Sequence, residues 1–389
     1  MSKKKPQKSK IRVDFRKNRL AKTREGDLTK RYDPAQMSES DSFDEAGERL
    51  SGRGSLTRRR TVVGEALPAE NAAGERGDFL ILPELGRDTI PGRVRAVYGL
   101  YATVEADDGR LFTCVTRRVL KTLATDQRQI VVAGDRVHFR DALNPEKSEG
   151  IIERVEPRRG SLSRTSRRRK QIIVTNVDQA VIVASAAEPN LKPNLIDRLL
   201  VTCERSRVKP IICVNKIDLT DPASLMPLMG VYAQMGYATA LVSVKTGFGI
   251  ERLRRQFRGK ESVVVGQSGV GKSSLLNALD VTLSLRIGQI SDETQKGKHT
   301  TTTAELLPLS FGGWVVDTPG IRQFALWDII PEEVIGFYRD LRPYENLCHY
   351  PDCTHTHEER CAVKDAVADG RLDTRRYESY LALRAGEME

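Results

Sequence analysis

Residues 266–273 read Gly266-Gln267-Ser268-Gly269-Val270-Gly271-Lys272-Ser273, between an apolar strand-like run and a helix-like run from Ser274 to Leu279. This is the phosphate-loop pattern in its required strand–loop–helix context. The glycines let backbone N–H groups converge on phosphate oxygens, and the helix N-terminus adds favourable partial charge. Lys272 is placed to neutralise the β- and γ-phosphates, and the Ser273 hydroxyl to ligate Mg²⁺. Ser274 continues the loop into the helix.

Asn215-Lys216-Ile217-Asp218 ends a second apolar run, Ile211-Ile212-Cys213-Val214. The Asp218 carboxylate can accept from both N1–H and the 2-amino group of guanine. Adenine lacks that donor pair and would leave a charge unpaired, so the pattern implies GTP and GDP. Ser243-Val244-Lys245 follows the next apolar run, where Ser243 and Lys245 can pack and hydrogen-bond the base edge. Asp317-Thr318-Pro319-Gly320 follows Trp314-Val315-Val316. Asp317 can hold Mg²⁺ through water, and the Gly320 N–H can sense the γ-phosphate. Gly297-Lys298-His299-Thr300-Thr301-Thr302-Thr303 lies between, and one of Thr300–Thr303 should complete the Mg²⁺ shell. Ordering by the γ-phosphate and release after hydrolysis would make both segments switches.

The order is base motif, Ser-x-Lys, phosphate loop, threonine segment, Asp-x-x-Gly. Guanine motifs normally come last, so this is a circularly permuted G domain. Many G domains place glutamine just after Asp-x-x-Gly to orient the attacking water. Here that position is Ile321, which cannot hydrogen-bond. Either turnover is very slow, or His299 supplies the function as a neutral imidazole. The alternative is that His299 only contacts RNA or caps the loop.

Cys348, Cys353, His355 and Cys361 offer four soft or borderline donors within 14 residues. That suits a tetrahedral Cys₃His site, and thiolates favour Zn²⁺ over Mg²⁺ or Ca²⁺. With every position protein-filled the zinc would be structural. His349 and His357 compete as the nitrogen donor. Cys114, Cys203 and Cys213 sit in apolar patterns and read as core.

These residues need elements to position them. The chain has 389 residues and a net charge of +11, long enough for two or three domains. No apolar stretch approaches a bilayer span of about 18–20 residues, and nothing after Met1 reads as a secretory signal. Cytoplasmic location and no membrane partner are expected. Residues 1–60 hold 18 Lys/Arg against 9 Asp/Glu, a surplus of +9, which suits a polyanion. Residues 1–86 read as a disordered basic tail, since apolar residues are sparse and aperiodic. Residues 87–160 show about five short alternating runs, among them Gly92–Val97, Ala102–Glu105, Val132–Val137 and Gly150–Val155. A small antiparallel β-barrel of the oligonucleotide-binding type is the leading expectation, and a small SH3-like barrel the alternative. Ser161–Lys170 reads as a basic linker. Over residues 161–325 strands and helices alternate, with helices at Leu195–Arg207, Ala223–Met235 and Gly249–Phe257, so an α/β parallel sheet covered by helices is expected. Residues 326–389 read as a small α-rich metal-binding unit. Arg117-Arg118, Arg158-Arg159 and Arg167–Lys170 are candidate phosphate contacts, or solvated surface.

The permuted motif order, with Gly297–Leu306 and Asp317–Gly320, closely resembles the ribosome small-subunit-dependent GTPase A (RsgA) family over residues 88–389. The resemblance implies a GTP hydrolase of class EC 3.6.1.- that acts in late maturation of the 30S ribosomal subunit, is stimulated by that particle and contacts its rRNA. It also implies His355 as the zinc nitrogen ligand and a functional histidine at position 299. The long tail departs from many members, so its role is not carried over. A nucleotide-gated binding protein with negligible turnover remains the competing reading. A monomer is expected from the lack of a coiled coil.

Overall fold

The computed structural model describes residues 9–14, 59–67, 80–83, 85, 88–117, 120, 130–141, 148–166, 169–285, 304–317 and 330–386. Among them no helix is long and apolar enough to cross a membrane.

Three strands, β1 (Ser9–Asp14), β2 (Arg59–Leu67) and β3 (Leu80–Pro83), form an antiparallel sheet in the order β1-β2-β3. The expected disorder of residues 1–86 therefore does not hold for these segments. Thr61-Val62-Val63 and Leu80-Ile81-Leu82 are β-branched and apolar runs that suit paired strands, a local signal diluted by the surrounding charge.

A closed barrel follows: β4 (Ile90–Tyr98), β5 (Tyr101–Ala106), β6 (Leu111–Thr116), β7 (Arg136–Asp141) and β8 (Glu149–Val155). The strands close in the order β4-β5-β6-β8-β7. Neighbours are antiparallel except β6 and β8, which run parallel. This is the Greek-key connectivity of an oligonucleotide-binding barrel. Alternate residues point inward, giving a core of Val94, Val104, Phe112, Cys114, Val137, Phe139 and Ile152. The expected strand at Val132–Val137 begins only at Arg136, because Asp135 turns its carboxylate back into the structure. That buried group accepts from the Val132 N–H at 2.9 Å, the Thr175 hydroxyl at 2.8 Å and both nitrogens of an Arg158 fork at 2.8 Å. Arg158 is thus committed to a structural pair, and the expectation of a phosphate contact there is corrected.

The segment Ser161–Lys170, expected as a basic linker, carries strand. β9 (Leu162–Ser166) pairs with β10 (Arg169–Val174) as a hairpin anchored by buried Leu162 and Val174. Beyond it a six-stranded sheet has the order β13-β12-β11-β14-β16-β15. The strands are β11 (Gln179–Ser185), β12 (Lys209–Asn215), β13 (Ala238–Leu241), β14 (Glu261–Val265), β15 (Glu305–Pro308) and β16 (Trp314–Asp317). All pairs are parallel except β15 with β16. β11 and β14 are buried along their whole length, as strands covered on both faces must be. Helices α1 (Pro193–Arg205) and α2 (Met226–Gln234) cover one face. Helices α3 (Ile250–Phe257) and α4 (Lys272–Leu279) cover the other. The helix expected from Ala223 starts at Met226, behind a 3-10 turn at Pro222–Leu225. Pro227 has no N–H to give and belongs in a first turn.

The C-terminal unit comprises a 3-10 stretch at Pro331–Phe337, α5 (Arg342–Glu345), α6 (Ala362–Ala368) and α7 (Thr374–Ala385). Its small core borrows Val201 from α1. Arg376 fixes the unit there. It forks onto Asp340 with two 2.9 Å bonds and reaches Asp197 of α1 at 2.6 Å. The Tyr232 hydroxyl donates to the same Asp197 at 2.8 Å, and the Arg376 guanidinium lies 4.3 Å from the Tyr338 ring centroid. Burial works against the Arg376 charge, but Asp340 and Asp197 raise its pKa well above the ordinary value. The side chain is 3% exposed, so deleting it strands two carboxylates. Arg376→Ala should cost about 3–5 kcal/mol, read as a lower denaturation midpoint at neutral pH. Arg376→Lys should recover only a fraction, since an ammonium cannot fork.

Candidate nucleotide site and metal centre

The base motif, Ser243-Val244-Lys245 and the phosphate loop lie at the C-terminal ends of β12, β13 and β14, where ligands bind in open α/β sheets. β14 ends at Val265 and the chain turns at Gly266 with φ +146°. A Cβ there would sit 2.1 Å from the Val183 carbonyl oxygen of β11, so only glycine lets the loop pass. Gly271, φ +90°, faces the Asn215 amide nitrogen, 2.6 Å from where a Cβ would be. Between them Gln267, Ser268, Gly269 and Val270 form the loop, with Val270 buried beneath it. α4 starts at Lys272, and among the described residues no side chain caps it, which leaves its first N–H groups to a ligand. Ser273 and Ser274 lie in that first turn, half-buried. The Lys272 amine donates to the Gly266 carbonyl at 2.9 Å and the Gln267 carbonyl at 2.7 Å, so it arches over the loop it belongs to.

The guanine motif is held against this loop. Asn215, 2% exposed, donates from Nδ2 to the Val270 carbonyl at 3.0 Å. Its Oδ1 is buried without a partner among the described residues. The motif assigns Asn215 to the base; its visible contact is a strap between β12 and the phosphate loop. Lys216 takes the left-handed conformation, φ 61°, and its amine donates to the Glu188 carbonyl. That carbonyl belongs to the loop between β11 and α1, which the motifs give no reason to single out. Asp218 accepts from the Ser243 hydroxyl at 2.6 Å, and this bond is the main cause holding its carboxyl below the usual range. Ser243 is fully buried, and its Oγ also accepts the Thr246 N–H at 3.2 Å. Lys245 is exposed beside it and contributes to lowering the Asp218 pKa. Asp317 stands further off in the sheet: it ends β16, which is separated from β11 by β14. His299, Thr300–Thr303, Gly320 and Ile321 lie outside the described residues.

Cys348, Cys353, His355 and Cys361 converge, with their donor atoms all within 4.8 Å of one another. The His355 Nδ1 is 3.3 Å from the Cys348 sulfur and 3.4 Å from the Cys361 sulfur, and those two sulfurs are 3.9 Å apart. Metal–sulfur and metal–nitrogen bonds of about 2.3 and 2.0 Å in a tetrahedron give edges of roughly 3.5–3.8 Å. The donor set therefore fits a tetrahedral cation. Burial and the neighbouring thiols push the Cys353 thiol up to about 12; a bound cation would offset that cost. His355 is buried, whereas His349 and His357 are exposed outside the cluster. Two α7 side chains hold the turn: Tyr377 donates to the His355 carbonyl at 2.7 Å and Tyr380 to the Thr354 carbonyl at 2.9 Å. Their spacing, which puts both on one helix face, is the sequence signal for that role.

A family model described as RsgA GTPase matches residues 155–327. A protein of Sodalis glossinidius named small ribosomal subunit biogenesis GTPase RsgA is 40% identical over 295 residues, covering 74% of this chain and 83% of that one. Its namesake in Chlorobaculum parvum is 40% identical over 305 residues, covering 76% and 97%. Among solved structures, YjeQ from Thermotoga maritima superposes with a TM-score of 0.62 at 33% identity, covering 77% of this chain and 98% of that one. YloQ, described as a circularly permuted GTPase, gives 0.60 at 29% identity, covering 77% and 96%.

The Asp218–Ser243 bond yields a pH prediction. A folded pKa below the unfolded value means the bond's contribution is present above the unfolded pKa and is lost as pH falls through the folded one. Ser243→Ala should raise the Asp218 pKa towards the ordinary carboxylate value, measured by carboxyl-carbon NMR titration. An unchanged titration would show that Ser243 is not the cause.

Proposed function

The chain belongs to the RsgA GTPase family, and we propose that it hydrolyses GTP to GDP and phosphate as a biogenesis factor of the small ribosomal subunit. The observation that carries the reading is the strap between base motif and phosphate loop, in which Asn215 bonds Val270 while Asp218 is held ionised beside Ser243. One rigid edge then reads guanine and phosphate together.

In this reading Asp218 accepts from guanine N1–H and the 2-amino group, with Ser243 and Lys245 along the base edge. The N–H groups from Gln267 to Ser274 cradle the phosphates, and Lys272 exchanges its loop carbonyls for phosphate oxygens. The uncapped α4 N-terminus, with Ser273 in its first turn, fits Mg²⁺ beside a phosphate. Asp317 and one of Thr300–Thr303 would complete its shell. Mg²⁺ would neutralise charge on the transferred phosphoryl group. His299 orients or deprotonates the attacking water, since Ile321 cannot, and docking on the subunit's RNA stimulates that step. The cation of the Cys₃His cluster is Zn²⁺, held structurally. The protein acts as a cytoplasmic monomer, with the barrel and the zinc unit gripping rRNA.

Hydrolysis by the purified protein, with and without purified 30S subunits across several salt concentrations, tests this. Stimulation that fades with salt is expected, because phosphate contacts release counterions. His299→Ala should lower the stimulated rate by about 10²–10⁴-fold with GTP affinity retained. GTP binding without any stimulation would favour the nucleotide-gated binding protein. Cys361→Ser should reduce zinc from one equivalent per chain to near none by elemental analysis and lower the unfolding temperature. Full activity and stability without zinc would reject the structural role.

A further inference from the structure

The end of the sheet opposite the nucleotide loops carries an open groove of about 700 Å³. Five cations line it: Lys209 at the start of β12, Arg252 and Arg255 on α3, Arg258 after that helix, and Lys260 before β14. All five are exposed. Among the described residues none is paired with a carboxylate, because the neighbouring acids are engaged elsewhere. Glu251 pairs with Arg254, Glu261 with Arg93 and Arg136 of the barrel, and the Asp178 carboxylate accepts the Glu261 N–H at 2.9 Å. The floor is fixed: buried Gln179 donates from Nε2 to the Gln256 carbonyl at 2.8 Å and to the Ser262 hydroxyl at 2.9 Å.

We propose that this groove is a docking site for the phosphate backbone of RNA, separate from the nucleotide site. The proposal rests on the small-subunit reading and adds a surface to it. Two or three cations at the end of α3 would suffice to complement the helix dipole. Five, converging from separate elements without intervening acids, leave a positive field that a polyanion relieves. The three guanidiniums match phosphate oxygens bidentately. Among the described residues the lining holds no aromatic or aliphatic side chain. That argues against a protein partner, whose interface would centre on such anchors, and against reading of unstacked bases. β12 carries Lys209 at one end and Asn215 at the other, about 20 Å apart at strand rise. RNA in the groove would therefore share no ligand with GTP, and the contact would persist in the GDP state.

The test compares the full chain with an Arg252→Gln/Arg255→Gln/Arg258→Gln variant, an Arg→Lys triple at the same positions, and the single Arg255→Gln. Binding to purified 30S subunits, to a generic RNA duplex and to polyglutamate is measured against salt. The Gln triple should lose at least about tenfold in affinity for 30S near 0.1 M salt, and its salt slope should fall by up to about 3. The Lys triple should keep most of both, and Arg255→Gln should lower the slope by about one. Labelled-GDP affinity and basal hydrolysis should not change in any of them. A Gln triple that binds 30S and duplex like its parent overturns the proposal and leaves the small-subunit reading standing. A parent that ignores 30S yet binds duplex through the groove overturns that reading and keeps the RNA site. Loss confined to polyglutamate makes the partner an acidic protein and overturns the RNA assignment. If the Gln triple fails to fold, the slope of Arg255→Gln decides alone.

Discussion

The phosphate-loop motif depends on a close approach of backbone to backbone. The loop after β14 passes so near the Val183 carbonyl of β11 that no side chain fits at Gly266. Asn215 then ties the loop's middle to β12. Three adjacent parallel strands thus fix one loop, and its N–H groups are directed by the sheet rather than by flexible side chains. In the proposed reading a phosphate site made of N–H dipoles needs that rigidity, because its electrostatic advantage comes from donors that need not reorganise. The cost is entropic: the glycine that takes φ +146° here loses more conformational freedom on folding than any other residue would.

The same sheet is where the other units attach. The barrel reaches Glu261, the first residue of β14, through Arg93, and its Arg95 donates to the Leu306 carbonyl of β15 at 3.2 Å. Both guanidiniums lie over the ring of Trp314, the first residue of β16, at 5.5 and 5.9 Å. β14 leads into the phosphate loop, β15 follows the threonine segment and β16 ends at Asp317. The barrel therefore grips the three strands that adjoin the phosphate-loop, threonine and Asp-x-x-Gly motifs in sequence, and it grips them with charged groups that are largely removed from water.

How much of this is legible in the sequence follows from the range of each interaction. The phosphate loop, the base motif and the cysteine cluster are local in sequence, so spacing alone exposes them. The parallel sheet is legible because β11, β12 and β14 are apolar nearly throughout. Arg158 reads as a surface charge because its partner Asp135 is 23 residues away, and a buried pair looks in sequence like two solvated residues. Arg376 gives no signal for the same reason, its partner Asp197 being on another unit. The role of Asn215 as a strap is hidden because the tetrapeptide does not reveal which loop its amide will face. The paired strands within residues 1–86 are masked when composition is averaged over so long a window.

Circular permutation gives these attachments a mechanical consequence. In the usual order the chain would continue from β16 back into the same sheet. Here β16 ends at Asp317, and the next described residues belong to the C-terminal unit, which is bolted to α1 by the Arg376–Asp197 pair and by Arg339 on Glu204 at 2.7 Å. α1 in turn packs on β11 and β12, the strands that hold the phosphate loop. Residues 318–329 therefore join two anchors that are themselves packed together. A buried pair resists separation strongly, so the metal-bearing unit is held to α1 and, through it, to the strands that position the phosphate loop.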